Sequence, residues 1–233
     1  MRWTPEELTT AAVGRLLRRG SRDVVGTFFD TRSPLAGGLF VPVVAARDGH
    51  DFIAAAIAGG AAAVLVAAGR TVPPGDVTVV EVDDTIAAFQ RLAADRRARL
   101  DVPVVAISGS NGKTTTRAMI AAVLGSANHR VLCTQGNFNN HLGVPTTLLG
   151  EPESPTAMVI ELGMNAPGEN GLLAAIVQPS IAVITSIALE HLEFMGSIEA
   201  IAAAEAEPIA HLRPGGVVVV PSDEPLLRPH LPA

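Results

Sequence analysis

Residues 104–116 decide the fold, and their sequence is Val104-Val105-Ala106-Ile107-Ser108-Gly109-Ser110-Asn111-Gly112-Lys113-Thr114-Thr115-Thr116. The first four residues are apolar, which is typical of a short buried strand. The sequence that follows the glycine-rich segment predicts a helix to about Leu124. A glycine-rich turn between a buried strand and a helix is the context that a phosphate-binding loop requires.

The loop itself has the chemistry of a nucleotide site. Glycines let backbone N–H groups converge on phosphate oxygens, and the helix that follows adds the positive end of its dipole. Lys113 would place a charge on the β- and γ-phosphates, and the Thr114 hydroxyl would ligate Mg²⁺. The usual pattern has a further glycine where this chain has Ile107, so the loop is a tighter variant. The alternative is a glycine–lysine turn before an ordinary helix. Nucleotide binding is predicted at Gly109, Ser110, Asn111, Gly112, Lys113, Thr114 and Thr115.

Other short apolar runs lie on both sides of the loop, and helical segments separate most of them. They are Val24–Phe29, Leu39–Val44, Ala63–Val66, Val77–Val82, Val131–Thr134, Ala157–Ile160, Ile181–Thr185 and Gly216–Val220. Apolar strands that alternate with helices predict a mostly parallel sheet covered on both faces. We therefore expect an α/β fold, with a small N-terminal α/β domain over residues 1–100 and a phosphate-loop domain over residues 101–233. The boundary is predicted at Asp101-Val102-Pro103.

The composition excludes several classes of protein. Of 233 residues, 48% are hydrophobic and 17% are charged, which favours a globular protein over a disordered chain or a coiled coil. The net charge is −6 and there is no basic run, so general nucleic-acid binding is not expected. Cys133 is the single cysteine, which excludes an internal disulfide and a cysteine zinc cluster and fits a reducing cytosol.

No secretion or membrane signal is apparent in the sequence. The first residues have no apolar core of the kind that a signal peptide needs. Residues 52–69 carry no charge, but they are mostly alanine and glycine, with Gly59-Gly60 in the middle. We interpret this stretch as a helix, a turn and a short strand, and we expect no membrane span. The proline-rich residues 225–233 are expected to form a tail or an abrupt end.

Polar residues follow several predicted strands. Glu161 comes directly after one strand, where a carboxylate could hold Mg²⁺, orient a nucleophile or cap the next turn. Glu190-His191 follows another, where the histidine could ligate a metal, bond a phosphate or be an ordinary surface residue. Residues 136–141 offer Asn137, Asn139 and Asn140, which could recognise a polar ligand or simply favour a turn.

Taken together, these segments resemble the Mur ligase family, and the detailed likeness is to its MurF type. The likeness rests on Gly109–Thr116, Gly136–Pro145, Glu161–Glu169 and Ala188–Glu193, supported by Asp30–Arg32 and Asp48–Phe52. It extends in order over nearly the whole chain. Glu161–Glu169 favours the MurF type over its sister ligases.

The resemblance implies a reaction in bacterial cell-wall synthesis. ATP would phosphorylate the terminal carboxylate of UDP-MurNAc-tripeptide, and the amine of D-alanyl-D-alanine would attack the acyl phosphate to form an amide. By this resemblance, Lys113 would neutralise phosphate charge, Thr114 and Glu161 would hold one Mg²⁺, and His191 would belong to a second Mg²⁺ site. The enzyme would be a cytoplasmic monomer.

The resemblance also divides the chain by role. The N-terminal domain would grip the UDP end of the precursor through Thr31, Arg32, Ser33 and His50. The central domain would bind ATP, and Asn137, Asn139 and Asn140 would contact substrate. Residues 43–47 lack the lysine–glycine pair that the family would place before Asp48.

Glu205 marks the clearest departure from the family pattern. The family commonly places a carbamylated lysine there, and a carbamate ends in a carboxylate-like group. Our hypothesis is that Glu205 takes this catalytic role directly, in which case activity would not depend on bicarbonate. A decayed site is the alternative, and Pro208 in the same helical segment is a second oddity.

The family has a third, C-terminal domain, whereas this chain stops at Ala233 in what resembles the central domain. We therefore expect a fragment that does not turn over alone. One alternative is a non-catalytic nucleotide- or precursor-binding module. A folylpolyglutamate synthase-like ligase is a second, and the signals before residue 100 argue against it. A simple phosphate-loop kinase would leave residues 137–141 unexplained.

Overall fold

The computed structural model describes residues 2–150, 152, 154–189 and 195–232. The chain forms two compact units, of which the first ends at Arg96 and the second begins at Arg97. Among the described residues, no helix is both long enough and apolar enough to cross a bilayer.

The first unit is built on a five-stranded sheet and three helices. The sheet order is β2-β7-β6-β5-β4, parallel except for the antiparallel edge strand β2, and β1 pairs with β3 in a separate ribbon. The first helix begins where Thr4 and Glu7 form a capping box. The elements are β1 (Arg2–Trp3), α1 (Pro5–Ala12), β2 (Arg15–Arg18), β3 (Val24–Val25), β4 (Thr27–Phe28), β5 (Leu39–Phe40), α2 (Ile53–Ala58), β6 (Ala63–Ala67), β7 (Thr78–Val82) and α3 (Thr85–Ala98).

The second unit is built on a fully parallel sheet of order β12-β11-β8-β10-β9. Because parallel strands share a direction, the loops that follow them meet at one edge of the sheet. That edge positions the candidate site. The elements are β8 (Val104–Ser108), α4 (Lys113–Ser126), β9 (Val131–Cys133), α5 (Gly143–Leu148), β10 (Ala157–Glu161), α6 (Glu169–Val177), β11 (Ile181–Ile184), α7 (Ile198–Ala206) and β12 (Val217–Val219).

Alternate residues of β8 face opposite sides of the second sheet. On one side, Val105 and Ile107 pack with Val159 against Ile120 and Leu124 of α4. On the other side, Ser108 reaches a buried asparagine of α6 and a buried glutamate of α7. The prediction of an α/β fold with mostly parallel sheets is therefore confirmed.

Several predicted element boundaries differ from the structure. The strand predicted over Val24–Phe29 is split into β3 and β4 at Gly26, which has φ +65°. The strand predicted over Leu39–Val44 ends at Phe40, because Pro42 has no N–H for a ladder. The strands β1 and β2 were missed altogether.

The end of the chain is more ordered than predicted. Residues Pro225–His230 form a 3₁₀ turn, not a loose tail. Leu227 is fully buried and packs against Ile184 and Ala206. Pro208 is also accommodated, since α7 ends at Ala206 and the proline lies in the first turn of a 3₁₀ helix, where no N–H is needed.

Candidate functional site

The predicted phosphate loop connects β8 to α4. Gly109 has φ +117°, and a Cβ atom there would lie 2.3 Å from Oγ1 of Thr185. Only glycine fits this turn, because the backbone conformation and the close approach of β11 both exclude a side chain. Gly112 precedes Lys113, the first residue of α4, so the first N–H groups of that helix face the loop.

The loop is held in shape by the segment that follows β11. The Ser110 N–H donates to the Ser186 carbonyl over 2.8 Å, and the Asn111 N–H donates to Ser186 Oγ over 3.0 Å. The Ala188 N–H donates to Ser110 Oγ over 2.9 Å. Ser110 and Asn111 were both predicted to bind the nucleotide. The backbone of both residues and the side chain of Ser110 are hydrogen-bonded to the segment after β11, so the loop has its shape before a nucleotide binds.

The ammonium group of Lys113 lies over its own loop. It donates to the carbonyl of Gly109 and, over 3.4 Å, to the carbonyl of Ser110. These carbonyl contacts hold a cation at the mouth of the loop, where a phosphate would bring stronger, charge-assisted partners. Thr115 is exposed in the first turn of α4.

Glu161 is the centre of the polar cluster at this edge of the sheet. Its side chain is almost fully buried. Its Oε1 atom accepts from Asn139 Nδ2 over 3.0 Å and lies 3.3 Å from Oγ1 of Thr114. Its N–H donates to Thr134 Oγ1 over 2.9 Å. Because β9 and β10 are neighbours, the sheet brings together residues that the sequence separates.

The second oxygen of Glu161 is unsatisfied. Oε2 is buried and has no hydrogen-bond partner among the described residues, while a guanidinium nitrogen of Arg117 lies 3.5 Å away. The Glu161 carboxylate, with the Thr114 hydroxyl beside its other oxygen Oε1, is a hard-oxygen donor set, which fits Mg²⁺. Within the described ranges, no three His, Cys, Asp or Glu side chains form a metal centre by themselves. Mg²⁺ commonly takes one or two carboxylates together with substrate phosphates.

The three predicted asparagines have different environments. Asn137 and Asn139 line a pocket of about 210 Å³ together with Lys113. Asn140 lines it too, but its Oδ1 accepts from the N–H groups of Leu142 and Gly143 and so caps α5. The pocket is completed by Gly163, Met164 and Asn165.

The carboxylate of Glu205 lies beneath the phosphate loop. Its Oε2 atom accepts from the hydroxyl of Ser108, from the Gly109 N–H over 2.7 Å and from Asn170 Nδ2 over 3.1 Å. The predicted role of Glu205 at a metal stays a prediction. Its Oε2 contacts are with the backbone of the loop at Gly109 and with the side chains of Ser108 and Asn170.

His191, together with Glu190, lies outside the described residues, so its predicted role in a second Mg²⁺ site stays a prediction. Cys133 is a half-buried member of the core beside α4, and burial raises the pKa of its thiol. That environment is typical of a small core residue, not of a nucleophile.

The first unit has its own pocket, of about 640 Å³. The predicted residues Thr31 and Arg32 line it, with Asp30 beside them; Arg32 forms an ion pair with Asp30 over 2.7 Å. The side-chain hydrogen bond from Arg32 lowers the pKa of Asp30 to about 2, so this wall carries both charges at neutral pH. The other lining residues are Phe29, Val43, Ala45, Ala46, Arg47, Gly49 and Phe52.

Two predicted substrate residues lie elsewhere in the first unit. Ser33 is not part of the pocket wall, and its N–H closes a turn onto the Asp30 carbonyl. The side chain of His50 is nearly buried: Nδ1 lies 2.6 Å from Oδ1 of Asp48, and Nε2 accepts from the Ala67 N–H over 3.0 Å. Both ring nitrogens therefore contact the protein itself, while His50 also lines a separate pocket of about 330 Å³ with Arg70, and its predicted contact with substrate stays a prediction.

Sequence reasoning missed several residues of these sites. Arg47 lies over the ring of Phe52, 4.4 Å from its centre, and supplies a cation where the sequence lacks the expected lysine. Arg117 follows Lys113 by one helical turn, and this spacing could have placed it beside the loop. No local sequence pattern indicated a role for Asn170, because its hydrogen-bond partners lie on other elements.

Comparisons with known proteins agree with this geometry. Residues 107–231 match the model of the Mur ligase middle domain. The UDP-N-acetylmuramoyl-tripeptide–D-alanyl-D-alanine ligase of Bacillus subtilis is 45% identical over 204 residues, which are 87% of this chain and 44% of that protein. The chain thus spans about half the length of the curated relatives it matches.

Solved structures show the same likeness. A crystal structure of MurF from Acinetobacter baumannii has a TM-score of 0.91 at 32% identity, covering 99% of this chain and 51% of that one. The structure of MurF ligase from Thermotoga maritima in complex with ADP has a TM-score of 0.80 at 30% identity, covering 88% of this chain and 48% of that one. With the middle-domain match spanning more than half of its residues, this chain belongs to the Mur ligase family.

Proposed function

We propose that this chain carries the nucleotide site and the precursor-binding domain of an ATP-dependent ligase that joins D-alanyl-D-alanine to UDP-MurNAc-tripeptide in the bacterial cytoplasm. The observation that carries the proposal is the junction of Lys113, Thr114 and Glu161, where a phosphate loop meets a buried carboxylate with an unsatisfied oxygen. The ligase names of the relatives support it. The folylpolyglutamate synthase-like and non-catalytic alternatives are therefore not favoured.

In this proposal each residue has a defined task. Lys113 and the first N–H groups of α4 would bind the β- and γ-phosphates of ATP. Thr114 Oγ1 and the Glu161 carboxylate would hold Mg²⁺, which when bound neutralises phosphate charge during transfer to a carboxylate. Asn139 fixes Glu161 by its hydrogen bond to Oε1, and Arg117 lies 3.5 Å from Oε2.

The first unit would bind the UDP end of the precursor. The pocket of about 640 Å³ offers the arginines Arg32 and Arg47 for a diphosphate and the rings of Phe29 and Phe52 for an apolar or aromatic group. In the second unit, Asn137 and Asn139 beside Lys113 would receive the reacting end. We propose that residues 1–100 and 101–233 divide these two tasks.

The nucleotide part is tested by calorimetry of ADP binding to the chain, with and without Mg²⁺. Lys113→Ala is expected to weaken Mg·ADP binding by about tenfold or more, since it removes a charge-assisted contact. Glu161→Gln is expected to reduce the gain in affinity that Mg²⁺ gives. Arg130→Ala removes an exposed cation elsewhere in the second unit and is the control. Unchanged affinity in Lys113→Ala would overturn the phosphate-loop assignment.

The substrate class is tested by a competition experiment. Binding of UDP-MurNAc-tripeptide to the chain is expected to be displaced by UDP and not by a folate. Arg32→Ala and Arg47→Ala are expected to weaken that binding, because each removes a cation from the pocket of the first unit. Displacement by the folate and not by UDP would support the folylpolyglutamate synthase-like alternative.

A further inference from the structure

We propose that Glu205 is a positioning residue of the phosphate loop: its buried carboxylate holds the first loop amide and the end of β8 in the shape that receives a nucleotide. The inference rests on the proposed nucleotide site. It assigns to Glu205 a task within the fold of the loop, in addition to any contact with a metal. Glu205 is only 1% exposed.

A buried carboxylate is costly unless several donors satisfy it. Three donors converge on one oxygen, Oε2: the Ser108 hydroxyl, the Gly109 N–H at 2.7 Å and Asn170 Nδ2 at 3.1 Å. Hydrogen bonds to an ionised acceptor are about twice as strong as neutral ones. The carboxylate therefore stabilises the positions of all three donors.

The donors belong to three different elements. Ser108 ends β8, Gly109 begins the loop, and Asn170 lies in α6, while Glu205 itself lies in α7. Asn170 is fully buried and also donates to Ser108 Oγ over 2.9 Å. Hydrogen bonds thus connect α6 and α7, on one face of the sheet, to the end of β8, where the phosphate loop begins.

The contact with Gly109 sets the direction of the loop. This glycine has φ +117°, and its N–H points to Glu205, inside the protein, instead of toward a ligand. The chain therefore turns at Gly109, and the turn places the carbonyls of Gly109 and Ser110 under the Lys113 ammonium. Without the carboxylate, the Gly109 amide would lose its partner and the turn would lose its anchor.

Glu207 provides a matched control in the same part of the chain. Its carboxylate accepts from the N–H groups of Gly168 and Gly171, over 2.6 and 2.7 Å. It therefore anchors the start of α6 through backbone amides, as Glu205 anchors the loop, but it does not touch the loop in any of these contacts. A general loss of packing would affect variants of both glutamates alike.

The test compares Glu205→Gln with Glu207→Gln in the 233-residue chain. Hydrogen–deuterium exchange of the ligand-free protein is expected to be faster at residues 108–112 in Glu205→Gln only, whereas Glu207→Gln speeds exchange near residue 168. Calorimetry is expected to show Mg·ADP affinity reduced about tenfold in Glu205→Gln and within twofold of wild type in Glu207→Gln. Ser108→Ala removes one donor and keeps the carboxylate. It is expected to change the exchange rate and the Mg·ADP affinity in the same direction as Glu205→Gln but by less, and it replaces Glu205→Gln in the test if that variant does not fold.

The outcomes separate the two proposals. Unchanged exchange at residues 108–112 in Glu205→Gln and Ser108→Ala would overturn the positioning role, whatever the affinity. Equal effects of Glu205→Gln and Glu207→Gln on the loop would also overturn it, because they would indicate a general loss of packing. If the wild-type chain bound no Mg·ADP, the proposed nucleotide site would fail, while the exchange experiment would still decide the role of Glu205.

Discussion

Asp48 is one of the residues through which pH acts on the first unit. Its carboxylate accepts from the backbone N–H and the ring of His50 and from Arg70. The backbone hydrogen bond from His50, followed by the bond from its ring, lowers the pKa of Asp48 from 3.8 to about 2. A carboxyl group whose pKa is lower in the folded than in the unfolded protein stabilises the folded state when the pH is above its pKa in the unfolded protein. This stabilisation is lost as the pH falls toward its pKa in the folded protein.

Asp48→Asn is therefore expected to make the stability of the first unit depend less on pH between about 4 and 2. The measurement is the urea midpoint followed by fluorescence of Trp3, the single tryptophan, which is fully buried in this unit. Asp51→Asn alters an exposed carboxylate nearby and is the control. The same pH dependence in Asp48→Asn and wild type would contradict the assignment.

At the scale of one element, replacing the glycine before α4 and the glycine inside it by alanine is expected to have opposite effects on stability. Gly112 precedes the helix with φ +86°, and a Cβ there would make an ordinary contact of 3.9 Å with the Cβ of Thr185. Gly125 lies inside the helix, and a Cβ there would meet no atom within 4 Å. Gly112→Ala is expected to lower the free energy of unfolding by about 1 kcal/mol, because alanine is strained at positive φ. Gly125→Ala is expected to raise it by about 0.5–1 kcal/mol, because alanine loses less entropy in a helix.

Urea unfolding followed by helix circular dichroism measures both changes. The two substitutions add the same methyl group and differ mainly in the backbone conformation that receives it. A gain in stability from Gly112→Ala would show that the loop relaxes to accommodate alanine, and the strain argument for this turn would then be wrong.

The elements show which features of the fold could be predicted from local sequence. Val104–Ile107, Ala157–Ile160 and Ile181–Thr185 were predicted within a residue or two, because buried parallel strands are apolar throughout. The two-residue strands of the first unit were misjudged. Pairing there is decided by the partner strand and by a positive φ at Gly26, and neither is visible in the apolar pattern.

At the scale of the whole molecule, the candidate site was predictable only in part. The positions of Lys113, Thr114 and Glu161 follow from motifs at strand ends and from the rule that parallel strands share an edge. The partners of Glu205 could not be predicted, because they come from the packing of α6 and α7 on β8. The contact of His50 with the Ala67 N–H could not be predicted either, because this partner lies 17 residues away on β6, and the predicted substrate contact of His50 stays a prediction.

The two units carry separate native probes, and this permits a test of how function divides between them. Trp3 reports on the first unit, and Cys133, half-buried in β9, reports on the second through its reactivity with a thiol reagent. Mg·ADP at about 100 times its dissociation constant is expected to stabilise the second unit by about 2.7 kcal/mol. The urea midpoint from Cys133 should then rise, and that from Trp3 should not.

UDP is expected to do the reverse, because the pocket with Arg32 and Arg47 lies in the first unit. A ligand stabilises only the cooperative unit whose folded form binds it, so two midpoints that move independently would mean two units, each with its own site. If either ligand raised both midpoints equally, the units would unfold as one, and the division of nucleotide and precursor binding at residue 100 would have to be tested by mutation alone.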